Sequence, residues 1–183
     1  MITSSNPGES YRGERLFFFA AGIVIGVPNA IFFEAVFHLW FTILGVATFV
    51  APFVEEFAKA STLLYRYERP GRILIMDGLL AGLGFGIAEF FVYVQAGVPF
   101  ILRLPAIGFH AAGTAIVAYG IYKRRTLRYY LLAVGLHFMN NFFATLGALW
   151  LIGGLAATVS SYCLAWRFYR EVSREPSAIQ LRL

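Results

Sequence analysis

Between Tyr129 and Trp166 the chain runs for 38 consecutive residues without a charged side chain. A bilayer core needs about 20 predominantly apolar residues for each helix that crosses it, so this stretch is too long for one span and just long enough for two. Gly147 is the expected hinge, because a turn at Gly153-Gly154 would leave the second helix too short to cross. Reading between charged clusters in the same way gives four more segments. Six spans are expected in all, over 16–37, 39–65, 73–95, 104–122, 129–148 and 149–166. With 59% of its 183 residues hydrophobic and 14% charged, the chain departs from a soluble domain, which is nearer half apolar and a quarter charged. The expected fold class is all-α: a polytopic bundle of about six transmembrane helices forming a single domain over 1–183, with a short polar tail over 172–183. A cleaved leader is not expected, since the apolar run after Arg15 is long and no small-residue cleavage pattern closes it.

The basic residues orient these spans, because cytoplasmic loops carry the excess of Lys and Arg. With the N-terminus inside, successive segments outside the membrane hold Arg12 and Arg15, then none. Next come Arg66, Arg69 and Arg72, then Arg103 alone, and then Lys123, Arg124, Arg125 and Arg128. The last two hold none and then Arg167, Arg170, Arg174 and Arg182. Thirteen of the fifteen basic residues fall on the cytoplasmic side, one falls outside, and Lys59 lies within a span. Both termini are therefore expected in the cytoplasm. The net charge of +5 then reflects membrane topology and contact with anionic lipid rather than nucleic acid, since the basic residues flank apolar runs instead of lining a polar, aromatic-bearing surface. A lone cysteine, Cys163, excludes an intramolecular disulfide.

An ionisable side chain at mid-bilayer costs about 2.5 to 3.5 kcal/mol on insertion scales, so each one that persists marks a candidate site. Here they cluster. The second span carries Glu55, Glu56 and Lys59, the third Phe85 and Glu89, the fourth His110, and the fifth His137 with Asn141. At a rise of about 1.5 Å per residue, Glu55 lies roughly 16 Å in from Arg66 and His110 roughly 20 Å from Lys123, so groups on different helices share a depth. Residues three or four apart share a helix face, which pairs Glu56 with Lys59 and His137 with Asn141. Lys59 can neutralise one of the adjacent acids as a structural ion pair. The second acid then needs a proton, a metal ion or a histidine partner.

Glu89, His110 and His137 form a two-His, one-carboxylate set that suits a catalytic zinc with an open position for water. Glu55 is then the general base, and Asn141 a donor to the oxyanion formed when a peptide carbonyl is attacked. A metal-free version uses Glu55 and a histidine to activate water directly, with His137 and Asn141 on the oxyanion. Nucleophilic catalysis is less attractive, because Ser160, Ser161 and Cys163 have no acid or base near them in sequence.

The ordered set Glu55-Glu56-x-x-Lys59, Phe85-x-x-x-Glu89, His110 and His137-x-x-x-Asn141 resembles the four motifs of the PrsW intramembrane proteases, a superfamily shared with the CAAX prenyl endopeptidases. The resemblance covers roughly 49–143. It implies peptide hydrolysis within the membrane, on single-pass proteins such as anti-sigma factors or on lipid-anchored chains, and a prokaryotic plasma membrane as the setting. Lys59 and Glu89 match the PrsW pattern, where the prenyl enzymes usually show Arg one position later and His. Asn141 departs from it, since PrsW more often has Asp there. The superfamily also includes a non-catalytic scaffold subunit, so a scaffold remains an alternative. So does a proton-coupled transporter, although no inverted repeat is present to support alternating access.

Three further features are read without chemistry. Gly78, Gly82 and Gly86 recur at four-residue spacing, which points to close helix packing. Pro28-Asn29 and Glu34 in the first span, and Pro52 before the Glu pair, mark kinks or locally opened backbone. A break at Pro52 would admit water beside Glu55. His38 and Asp77 are expected at the two membrane interfaces.

Overall fold

The computed structural model describes residues 7–175, which are helical almost throughout, with no strand among them. The first helical run joins α1 (Pro7–Ala21), a π-helical segment (Gly22–Gly26) and α2 (Val27–Phe37). The second joins α3 (Ile43–Gly45), a π-helical segment (Val46–Val50), α4 (Ala51–Ser61) and a 3₁₀ segment (Thr62–Arg66). Then come α5 (Gly71–Gln95), α6 (Phe100–Tyr122), α7 (Thr126–Thr145), a 3₁₀ turn (Gly147–Leu149) and α8 (Trp150–Arg174). The expected hinge is present: Gly147 adopts φ 62°, a left-handed conformation that glycine enters without steric cost.

Four helical stretches among the described residues are long and apolar enough to cross a membrane: Gly13–Phe37, Gly71–Gln95, Phe100–Tyr122 and Gly147–Arg174. The other two expected spans are helical as well, but they carry the polar residues of interest. The run through α4 holds Glu55, Glu56 and Lys59, and α7 holds Arg128, His137, Asn140 and Asn141. Boundaries shift at several ends. The second run starts at Thr42, whose hydroxyl caps it by accepting from the Gly45 N–H, and α6 begins four residues earlier than expected, at Phe100. Helix α8 continues through Arg174, so the expected polar tail starts inside a helix; its remainder, 176–183, lies outside the described residues.

The two π-helical segments have a common cause. Each ends two residues before a proline, Pro28 or Pro52, whose ring removes an N–H and crowds the preceding turn. The turn widens in response: the Val27 N–H reaches Gly22 O and the Ala51 N–H reaches Val46 O, five residues back instead of four. Ala47 O is thereby stranded. Its α-helical partner, Ala51, is engaged elsewhere, and the residue five further on is Pro52, which has no N–H. Asn141 on α7 supplies the missing donor, its Nδ2 lying 2.9 Å from that oxygen.

Helix α6 is the hub, buried continuously from Phe109 to Ile121. Lipid is as apolar as the side chains themselves, so association rests on close contact, and α5 supplies it with glycine. A Cβ at Gly82 would overlap the carbonyl oxygen of His110 and stand 2.7 Å from Ala111 Cα; one at Gly84, on the opposite face, would overlap Phe19 O on α1. The cytoplasm-facing half, in the expected orientation, is a dense apolar core around Phe18, Leu63, Leu74, Ile75 and Ile116, with Tyr119 and Phe168 stacked at 4.2 Å. Asp77, near the start of α5, is buried within the protein beneath Arg69, which bonds it at 2.9 Å and also reaches Glu14 at 2.6 Å. His38 is exposed.

Candidate active site

The residues singled out on α4, α5, α6 and α7 converge. Lys59, which is fully buried, donates to Glu56 Oε1 at 2.6 Å and contacts His110 Nδ1 at 2.9 Å. The same Glu56 oxygen lies 2.9 Å from His137 Nδ1. On the far side of His110, Nε2 lies 2.6 Å from Glu89 Oε2. The rings of His110 and His137 are 5.4 Å apart, with Phe109 edge-on to both; Phe85 packs on His110 and beneath the Lys59 ammonium. These aromatic walls dry the site, which strengthens every charge interaction inside it.

The hydrogen-bonding roles follow from the chemistry of the partners. An ammonium can only donate and an ionised carboxylate can only accept. His110 therefore carries its proton on Nε2, toward Glu89, and turns the Nδ1 lone pair inward to Lys59. His137 carries its proton on Nδ1, toward Glu56, and turns the Nε2 lone pair inward. Both lone pairs face one atom, Glu55 Oε2, at 3.9 Å from His110 Nδ1 and 3.8 Å from His137 Nε2. That oxygen is buried and has no hydrogen-bond partner. Three electron-rich groups thus meet, and their donor atoms lie within 4.8 Å of one another.

This grouping differs from the set read off the sequence. Glu55, expected as a base, is the carboxylate that joins His110 and His137, while Glu89, expected as a ligand, sits behind His110 as a hydrogen-bond acceptor. The grouping depends on ring orientation, which helix spacing does not report. Asn141 is engaged with Ala47 O, so only its second amide hydrogen remains for any other acceptor.

Two residues were missed as parts of the site. Glu34 on α2 lies close enough to Glu55 for the two carboxyl groups to interact. Arg103 on α6, counted as the one external basic residue, bonds Glu89 at 2.8 Å. The insertion-cost rule that flagged Glu55 applies equally to Glu34, a carboxylate inside an apolar helix, and was the available signal. With both included, the cluster holds four carboxyl groups (Glu34, Glu55, Glu56 and Glu89) against two basic side chains (Lys59 and Arg103). Two negative charges remain, to be met by protons or by a divalent cation.

A family model described as "PrsW family intramembrane metalloprotease" matches residues 13–166, which include every residue of the site. No curated protein and no solved structure matches the chain.

Proposed function

Because the chain belongs to the PrsW family of intramembrane metalloproteases, we propose that its buried cluster hydrolyses a peptide bond of a single-pass or lipid-anchored membrane protein, in a prokaryotic plasma membrane. The observation that carries this reading is the unpartnered Glu55 Oε2 facing two imidazole lone pairs. Such a constellation is electrostatically unfavourable by itself and suits a cation or a reacting water.

The donor set fits a divalent metal of the zinc type: two imidazole nitrogens, one carboxylate oxygen and a surplus of two negative charges. Glu55, His110 and His137 would hold the ion, and it would supply Lewis acidity and a lowered pKa for water. The chain's own residues do the rest. Glu89 and Glu56 accept the outer ring hydrogens and fix each imidazole with its lone pair inward. Lys59 neutralises Glu56 and yields His110 Nδ1 when that lone pair is otherwise engaged. Glu34, close to Glu55, takes the proton of the attacking water and returns it to the leaving amine. Asn141 offers its second N–H to the developing oxyanion. A metal-free variant, in which Glu55 and His137 act on water directly, is favoured by one observation: Lys59 already occupies the His110 lone pair.

For membrane placement, the six helical runs are proposed to be six spans with both termini cytoplasmic. The alternation of basic clusters supports this. The pairing of Arg103 with Glu89 removes the one basic residue that stood on the outer side as a loop charge.

The test is cleavage of a panel of single-pass substrates by purified protein in liposomes. Glu55→Gln is expected to abolish cleavage at unchanged folding. Undiminished cleavage by that variant would overturn the reading.

A further inference from the structure

Arg103 has a sharper role than its position near a helix end suggests. Its Nη2 donates to Glu89 Oε2 at 2.8 Å, and that same oxygen accepts from His110 Nε2 at 2.6 Å. Its guanidinium plane lies over the ring of Tyr93, with Cζ 3.8 Å from the centroid, a close cation–π contact. Glu89 and Tyr93 are i, i+4 on α5, and Arg103 and His110 are i, i+7 on α6, so each pair shares one helix face. The guanidinium is therefore clamped against α5 by two residues and bears on the carboxylate that holds a catalytic imidazole. The group is only 21% exposed. An exposed loop charge would have no such confinement.

We propose that Arg103 is a positioning residue for His110, acting through Glu89. Glu89 could point either of its oxygens, in several rotamers, at its neighbours. Arg103 fixes Oε2 between two donors, which holds the carboxylate as an acceptor toward His110. His110 then keeps its hydrogen on Nε2 and its lone pair on Nδ1, the atom facing Glu55 and Lys59. Without Arg103 the carboxylate is free to rotate out, and the imidazole loses the contact that selects this tautomer. Its lone pair then turns away from Glu55 in part of the population. The planar guanidinium matters for this, because it stacks on Tyr93 while bonding Glu89; the compact ammonium of lysine can supply the charge but not the stacking fork.

This inference rests on the proposed use of His110 at the site, but its first readout does not need a metal or a substrate. The chain has three histidines, His38, His110 and His137, so ¹⁵N-labelled imidazole resonances of the full protein in nanodiscs can be assigned by single replacements. In metal-free wild type, His110 is expected as the Nε2–H tautomer. Arg103→Met is expected to convert it to a mixture of tautomers, and Arg103→Lys to restore it in part. The second readout is zinc affinity by chelator competition, expected to fall about 10- to 100-fold in Arg103→Met, as when such outer partners are removed elsewhere. In cleavage assays kcat should fall with KM little changed.

A His110 tautomer and a zinc affinity that are unchanged within about twofold in Arg103→Met would overturn the proposal. If that variant does not fold, Arg103→Lys decides the matter by the same spectrum, since a wild-type spectrum with full zinc affinity there would exclude any need for the guanidinium fork. Wild type that binds no zinc yet shows the Arg103-dependent tautomer would count against the metal reading of the site and in favour of the role of Arg103.

Discussion

Replacing Lys59 with methionine removes the one cation at the centre of the site and leaves a side chain of similar length in its place. In the native arrangement the ammonium is fully buried, 2.6 Å from Glu56 Oε1, and Glu56 is itself only 1% exposed. At that distance and an effective dielectric of about 20, the Coulomb attraction is about 6 kcal/mol, part of which desolvation offsets. Measured losses on severing a buried pair fall at about 3–5 kcal/mol, because the surviving charge is left uncompensated. The cluster would pass from two surplus negative charges to three, with His137 as the remaining bonded partner of Glu56. Lys59→Met is therefore expected to destabilise the protein by about 3–5 kcal/mol, read from equilibrium unfolding in mixed micelles with increasing denaturing detergent. The double variant Glu56→Gln, Lys59→Met should recover about half or more of that loss. Glutamine carries no charge and can still accept from His137 Nδ1, so neither an orphaned carboxylate nor an unpaired ring N–H remains. A loss below about 1 kcal/mol for the single variant, or a double variant as unstable as the sum of the two singles, would refute the charge accounting.

Other perturbations reach neighbouring parts of the account. Asn141→Ala removes the donor to the Ala47 carbonyl stranded by Pro52, and an unsatisfied, partly buried acceptor should cost about 1 kcal/mol in the same unfolding assay. Gly82→Ala places a methyl against the His110 carbonyl and Ala111 Cα, so α5 and α6 must separate. A loss of about 1–3 kcal/mol is expected, with cleavage falling further than stability because His110 moves with its backbone. Glu34→Gln leaves an uncharged amide beside Glu55 that cannot take a proton, so kcat should fall by about 10²-fold or more with folding unchanged, as is typical when an acid–base group is lost.

Much of this arrangement was legible in the sequence, and the legible parts share a physical basis. Span lengths follow from bilayer thickness, so 38 uncharged residues had to turn near Gly147, and they do. Prolines perturb helices locally, so Pro28 and Pro52 announced the opened backbone that appears as two π-helical segments. The cost of burying polar groups singled out residues on four helices, and those residues converge. What escaped is what depends on rotation about a bond or on a neighbour from another helix. The nearness of Glu55 Oε2 to both imidazoles depends on ring orientation, which helical spacing leaves free. Arg103 sits near a span end, where a loop charge and a partner for Glu89 look the same in one dimension. Asp77 lies near a span end too, and only the fold shows Arg69 closing over it. Glu34 stands alone in an apolar helix, and its relation to Glu55 is created by packing of the first helical run against the second.

The central claim is that Glu55, His110 and His137 form one cation-holding unit while Glu89 stands behind it. Metal content per chain, measured by elemental analysis on protein purified without chelator, tests this directly. About one zinc-type ion per chain is expected in wild type, with loss of that ion in Glu55→Gln, His110→Ala and His137→Ala, and retention with weakened affinity in Glu89→Gln. A wild-type protein that cleaves its substrate with no bound metal would contradict it, as would a Glu55→Gln variant that keeps the full complement while Glu89→Gln loses it.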